Sequence, residues 1–237
     1  MLQATRPILV LFDCDGTLVD SQFSIIAAMG AAFKAELMSP PDAEAIRRVV
    51  GLPLVEAIER LLIDDELAAP PPQLAAKLAE HYKEAFAGQR EDESLNEPLF
   101  PGIEGVIRTL HGAGAVLGVA TGKSHRGLIA TLERHHLLPM FSTLQTADLG
   151  PGKPNPAMLY RALEETGVEA PDCVMIGDTV FDIEMARSGN VQSIGVSWGY
   201  HPSEDLVECG ANLLVRRAEE LLPAIRDLLR DALREKA

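Results

Sequence analysis

Ile8-Leu9-Val10-Leu11-Phe12-Asp13-Cys14-Asp15-Gly16-Thr17-Leu18-Val19-Asp20-Ser21 decides the fold, because an unbroken apolar run stops there at two carboxylates with one residue between them. A run of this length ending in a turn signal reads as a strand buried on both faces, as in parallel sheets. Its last residues then lie at a carboxyl edge, where open α/β sheets place their ligands. Side chains alternate along a strand, so Asp13 and Asp15 are expected on one side, and Gly16 lets the chain turn away without a side-chain clash. Two acids converge on one small volume.

Around this strand the chain of 237 residues is long enough for one large domain or two modest ones, and its 47% hydrophobic content supports a substantial core. No run of about 18 apolar residues exists to span a bilayer. Met1-Leu2-Gln3-Ala4-Thr5-Arg6 leads straight into the strand without the pattern of a secretory signal, so a cytoplasmic location is expected. Cys14, Cys173 and Cys209 are odd in number, lack metal-ligand spacing and read as buried thiols. The formal charge of −14 argues against nucleic acid or an anionic membrane surface as partner, since both need a basic patch.

After Ser21 the pattern turns helical until about Ala87. Phe23, Ile26, Gly30, Phe33 and Leu37 form one stripe, Leu54, Ala57, Ile58, Leu61 and Leu62 a second, and Leu74, Leu78, Tyr82, Ala85 and Phe86 a third. Pro40-Pro41 and Pro70-Pro71-Pro72 separate them, with a short helix expected over Asp42 to Val49. Gly88 to Ser94 reads as a polar linker. From about Pro101 helices alternate with apolar strands at Val116–Ala120, Phe141–Leu144, Cys173–Ile176, Ser193–Val196 and Asn212–Val215, and an amphipathic helix closes the chain. Such alternation predicts an α/β fold, a parallel sheet with helices on both faces, with residues 21–95 inserted as a helical unit into a core of 1–20 and 96–237.

Polar residues collect at the strand ends. Thr121-Gly122-Lys123-Ser124 superficially matches a nucleotide-binding P-loop, but the glycine that motif needs five places before Gly122 is replaced by Leu117. Lys153 sits between Pro151 and Pro154 in a stiff segment and reads as positioned. Asp178 and Asp182, four apart at a helix start, can point to one site. His125, His135, His136 and His201 lack partners at ligand spacing and are expected at the surface or as caps, and no cysteine has the arginine that a cysteine phosphatase requires.

Asp13 to Ser21 closely resembles the first motif of the haloacid dehalogenase-like superfamily, Thr121 the second, Lys153-Pro154 the third and Gly177-Asp178-Thr179-Val180-Phe181-Asp182 the fourth. The resemblance covers nearly the whole chain and implies a Rossmann-like core with a cap inserted after the first motif. It implies Asp13 as a nucleophile that takes up a phosphoryl group and Asp15 as general acid and base. Thr121, the Gly122 N–H and Lys153 would hold the phosphoryl group, although many relatives carry Asn where this chain has Gly122. Mg²⁺ would be held by Asp13, Asp178, Asp182 and the backbone carbonyl of Asp15, inverting the field that an acidic protein presents to an anion.

Arg47, Arg48 and Gly51 resemble the cap segment that selects substrate in phosphoglycolate phosphatase-like relatives. The implied activity is Mg²⁺-dependent hydrolysis of a small phosphorylated metabolite, phosphoglycolate-like or a sugar phosphate, through an aspartyl phosphate. A phosphomutase of the β-phosphoglucomutase type shares the same core and stays open as an alternative. A phosphoacceptor signalling module has similar groups, but it lacks the helical insertion and presents them in another order along the chain.

Overall fold

The computed structural model describes residues 6–64, 71, 73–89 and 97–229. The leading segment Met1 to Thr5, the Pro70 and Pro72 separators, most of the 88–94 linker and the expected 95/96 boundary lie outside the described residues. Along the chain, β1 (Leu9–Phe12) is followed by α1 (Gln22–Ala35), α2 (Ala43–Val49), α3 (Leu54–Asp64) and α4 (Leu74–Gly88). Then come α5 (Ile103–Gly112), β2 (Val116–Thr121), α6 (His125–Arg134), β3 (Thr143–Thr146), α7 (Ala157–Thr166), β4 (Cys173–Gly177), α8 (Val180–Ser188), β5 (Gln192–Val196), α9 (Ser203–Cys209), β6 (Leu213–Val215) and α10 (Leu221–Leu228).

β1 is central because both of its faces are apolar. Val10 and Phe12 pack into one layer with α5 and α10, while Leu9 and Leu11 pack into the other with α7 and α8. The sheet order is β3-β2-β1-β4-β5-β6 and every pairing is parallel, which is the Rossmann-like arrangement. The strand order reverses at β1, so a crevice opens between the carboxyl ends of β1 and β4. No helix among the described residues is long and apolar enough to cross a membrane.

One strand is displaced from the sequence expectation. The third was expected at Phe141–Leu144 and forms at Thr143–Thr146. A single helical turn at Leu138–Met140, containing Pro139, precedes it, and the pairing begins only at Gly118 with Thr143. Its buried Gln145 donates to Thr143 and Glu165 and accepts from Arg161, so hydrogen bonds stand where apolar side chains were sought.

Helices α1 to α4 form the cap, with a core of their own that includes Met29, Phe33, Ile46, Ile58, Leu61 and Leu78. The stripe expected on α1 is rotated. Its buried face runs through Ile25, Ala28, Met29, Ala32 and Phe33, while Phe23 is 63% and Leu37 97% exposed. The small alanines let α4 approach closely, and a helix apolar on most sides gives no periodic cue to its buried face. Chain segments leading into and out of the cap run antiparallel. The Asp20 N–H donates to the Pro98 carbonyl at 2.8 Å, and the Phe100 N–H donates to the Leu18 carbonyl at 3.0 Å.

The cap is seated on the core through its α2–α3 turn. A Cβ added to Gly122 would lie 2.7 Å from the Leu52 carbonyl oxygen, so only glycine admits the turn at this distance. Arg48 reaches Asp205 at 3.4 Å. His201, expected at the surface, is buried in this seam. Its Nδ1 accepts from the Val180 N–H at 3.3 Å and its Nε2 donates to the Arg48 carbonyl at 3.1 Å.

Burial holds the His201 imidazole below its usual range, against the carbonyl of Arg48 and the charges of Asp182 and Asp205 and with the charge of Arg48. The unfolded chain takes up this proton near pH 6.5, whereas the folded chain resists it until lower pH. Stability is therefore lost as pH falls below about 6.5, by at most about 1.4 kcal/mol per pH unit from this group. The difference in urea midpoint between wild type and His201→Gln should narrow from pH 7.5 to 5.0. Parallel pH dependences would show that the seam does not depend on neutral His201.

Candidate active site

Asp13 ends the central strand, and its N–H donates to the Ile176 carbonyl of β4 at 2.8 Å. Asp178 follows β4 directly, and Asp182 lies in the first turn of α8. One carboxylate oxygen from each of the three acids lies within 4.8 Å of the others, and all three side chains are buried. Lys153, fully buried, places its Nζ 2.7 Å from Asp13 Oδ1 and 2.6 Å from Asp182 Oδ1.

Two of the acids are fixed by further donors. Asp178 accepts from the Thr17 hydroxyl at 2.8 Å and the Tyr200 N–H at 2.9 Å. Asp182 Oδ2 accepts from the Thr179 hydroxyl and N–H at 2.7 and 3.1 Å. Asp13 takes Lys153 as its partner through Oδ1, and its Oδ2 receives no hydrogen bond from the described residues. Gly16, at φ +93°, completes the packing, since a Cβ there would lie 2.2 Å from Asp178 Oδ2.

This cluster is short of positive charge. Burial pushes the Asp13 carboxyl up to about 7, opposed by Lys153 and reinforced by the charges of Asp182 and Asp15. Burial, then Asp13 and Asp182, raises Asp178 well above the usual carboxylate range. Burial disfavours the Lys153 ammonium, but the charges of Asp13 and Asp182 outweigh it and hold the group above its ordinary value. Three acids held together by one ammonium, with Asp13 Oδ2 left without a donor among the described residues, fit the requirements of a divalent cation bound by oxygen.

Asp15 takes a separate position. Its Oδ1 accepts from the Ser21 hydroxyl and the Lys123 ammonium, both at 2.7 Å, and its side chain is not part of the three-acid cluster. Lys123 also binds Glu97 at 3.0 Å, and Glu97 accepts from Thr131 at 2.9 Å. Sequence reasoning missed Lys123 and Glu97 as parts of the site. The signal for Lys123 was its place at the end of a buried strand, obscured by the failed P-loop match. Glu97 carried no signal, because its partners are distant in the chain.

Asp13, Asp15, Thr121, Gly122 and Gly51 share the wall of one cavity of about 490 Å³ between cap and core. Lys153 lies behind Asp13. Arg47 and Arg48 are not on this wall. Arg48 is exposed and turned to Glu44 and Asp205, so the seated cap uses it on the seam.

The family model described as "Haloacid dehalogenase-like hydrolase" matches residues 10–196. "Probable phosphatase IndB" of Dickeya dadantii (strain 3937) is 33% identical, covering 94% of this chain and 95% of that protein. A "Phosphoglycolate phosphatase" of Colwellia psychrerythraea is 31% identical, covering 92% of this chain and 96% of that protein. A crystal structure of a "predicted phosphatase" from Clostridium acetobutylicum superposes with a TM-score of 0.80 at 26% identity, covering 94% of this chain and 100% of the other. The acids at the ends of β1 and β4, the buried lysine and the inserted cap thus come with a sequence match across most of the chain, and the chain belongs to the haloacid dehalogenase-like hydrolases.

Proposed function

We propose that this enzyme hydrolyses a small-molecule phosphomonoester in a Mg²⁺-dependent reaction that passes through an aspartyl phosphate on Asp13. Relatives named as phosphatases align over nearly its full length, and the enzyme is a phosphoric monoester hydrolase. The observation that carries the mechanism is the buried Asp13 side chain at the cavity wall, whose Oδ1 lies 2.7 Å from Lys153 and whose Oδ2 receives no hydrogen bond from the described residues. An ionised carboxylate so placed can act as a nucleophile.

An oxygen of Asp13 attacks phosphorus, and the bond from phosphorus to the substrate oxygen breaks as the new one forms. Asp15 gives its proton to the leaving oxygen, and the alcohol departs. Water then attacks the aspartyl phosphate, Asp15 takes the proton, and inorganic phosphate and free Asp13 are restored. The Thr121 hydroxyl and the Gly122 N–H hold the phosphoryl oxygens, and the Lys153 ammonium behind Asp13 neutralises charge on the nucleophile and the transferring group. Asp13, Asp178, Asp182 and the Asp15 carbonyl would hold Mg²⁺, which when bound neutralises charge on the transferring group. The seated cap keeps bulk water away from the phosphoryl group.

Asp13→Asn should lower kcat by at least about a thousandfold without lowering the metal-free Tm, because the amide removes a repelling charge from the cluster. Activity within tenfold of wild type would overturn the nucleophile assignment. Saturating Mg²⁺ should raise the wild-type Tm by several degrees, since a ligand at a hundred times its Kd adds about 2.7 kcal/mol. Asp178→Asn should abolish most of that shift. An undiminished shift would place the cation elsewhere.

A further inference from the structure

The cavity of about 490 Å³ is larger than the phosphoglycolate named for several relatives requires. The roughly nine non-hydrogen atoms of that compound, even at a water's share of about 30 Å³ each, leave close to half of the volume empty. The surplus is apolar, walled on the cap side by Ile25, Met29, Val50, Leu52, Tyr82 and Phe86. Its aromatic part starts beside the acids. Lys123 Nζ, 2.7 Å from Asp15, lies 5.1 Å from the Phe86 ring centroid, and Tyr82 stacks on Phe86 at 5.6 Å and 25°. A leaving group that departs toward Asp15 runs onto this wall, while the Tyr82 phenol makes no hydrogen bond to the described residues.

The cations near the acids are already engaged. Lys123 is held between Asp15 and Glu97, and Lys153 between Asp13 and Asp182. Lys83, paired with Glu80, and Arg126 line the cavity as exposed residues. Among the described residues no buried cation on the wall is left to receive a carboxylate close to the phosphate, and an unpaired carboxylate is costly to desolvate.

Resting on the phosphatase reading above, we propose that the preferred substrate is a phosphomonoester whose leaving alcohol carries a flat, largely apolar ring along Phe86 and Tyr82. Aromatic pairs gain from offset or edge contacts that an aliphatic chain cannot make. A single hydrogen-bonding group on that ring would find the Tyr82 hydroxyl.

The test compares kcat/KM of the Mg²⁺-loaded enzyme for benzyl phosphate, methyl phosphate, glycerol 3-phosphate and phosphoglycolate. Benzyl and methyl phosphates differ little in intrinsic reactivity, so their ratio reads recognition. Benzyl phosphate should exceed each of the others by about tenfold or more, and Tyr82→Ala and Phe86→Ala should each reduce the benzyl-to-methyl ratio at least severalfold. Met29→Lys, which puts a cation on the wall, should shift preference toward phosphoglycolate. Phosphoglycolate turned over as well as or better than benzyl phosphate by wild type would overturn the ring proposal and leave the phosphatase reading standing. Phosphate release from no member would overturn the phosphatase reading itself. The wild-type comparison decides the matter where a variant does not fold.

Discussion

Three carboxylates and one ammonium share a buried volume at the end of the central strand, and the surrounding structure keeps them there. Burial of ions is unfavourable unless each is paired or hydrogen-bonded. Lys153 therefore has to reach Asp13 and Asp182 together, while Thr17, Thr179 and the Tyr200 N–H share the remaining oxygens of Asp178 and Asp182. Asp13 is the exception, since its Oδ2 has no donor among the described residues. The sheet order makes this possible, because only adjacent β1 and β4 bring Asp13 and Asp178 to opposite sides of the same crevice.

A second group of charges lies where cap and core meet. Glu97 stands next to the paired linkers, Lys123 ends its reach at Asp15, and the Phe86 ring of α4 covers Lys123 at 5.1 Å. Asp15, a linker and a cap helix therefore touch one ammonium. Ser21 and Lys123 both bind Oδ1 of Asp15. The Gly122 contact belongs to the same seam, where the absence of a side chain lets the Leu52 carbonyl approach.

Much of this was legible in the sequence because the signals were local. The apolar strand with Asp13 and Asp15, the proline-flanked Lys153 and the Asp178/Asp182 pair each sit within a few residues of their defining context, and six strands and a helical insertion could be placed from periodicity. What escaped depended on contacts across the fold. β3 carries its burial on hydrogen-bonded Gln145, α1 is apolar on too many sides to show which face packs, and His201 looks like a solvated histidine until α2 is laid against it. Arg47 and Arg48 have the composition of a substrate clamp, but only the tertiary arrangement shows Arg48 turned to Asp205. Lys123 was visible as a residue and acquires meaning from Asp15 and Glu97, which lie 108 and 26 positions away.

The central claim is that phosphorus becomes bonded to the Asp13 carboxylate. Quenching the enzyme in acid during turnover of a phosphomonoester, reducing it with borohydride and sequencing the peptides by mass spectrometry tests this directly, because an acyl phosphate is converted to an alcohol and an ordinary carboxylate is not. Homoserine at position 13, absent without substrate, is the predicted result. An unaltered Asp13 under conditions of active phosphate release, or reduction at another acid, would contradict it.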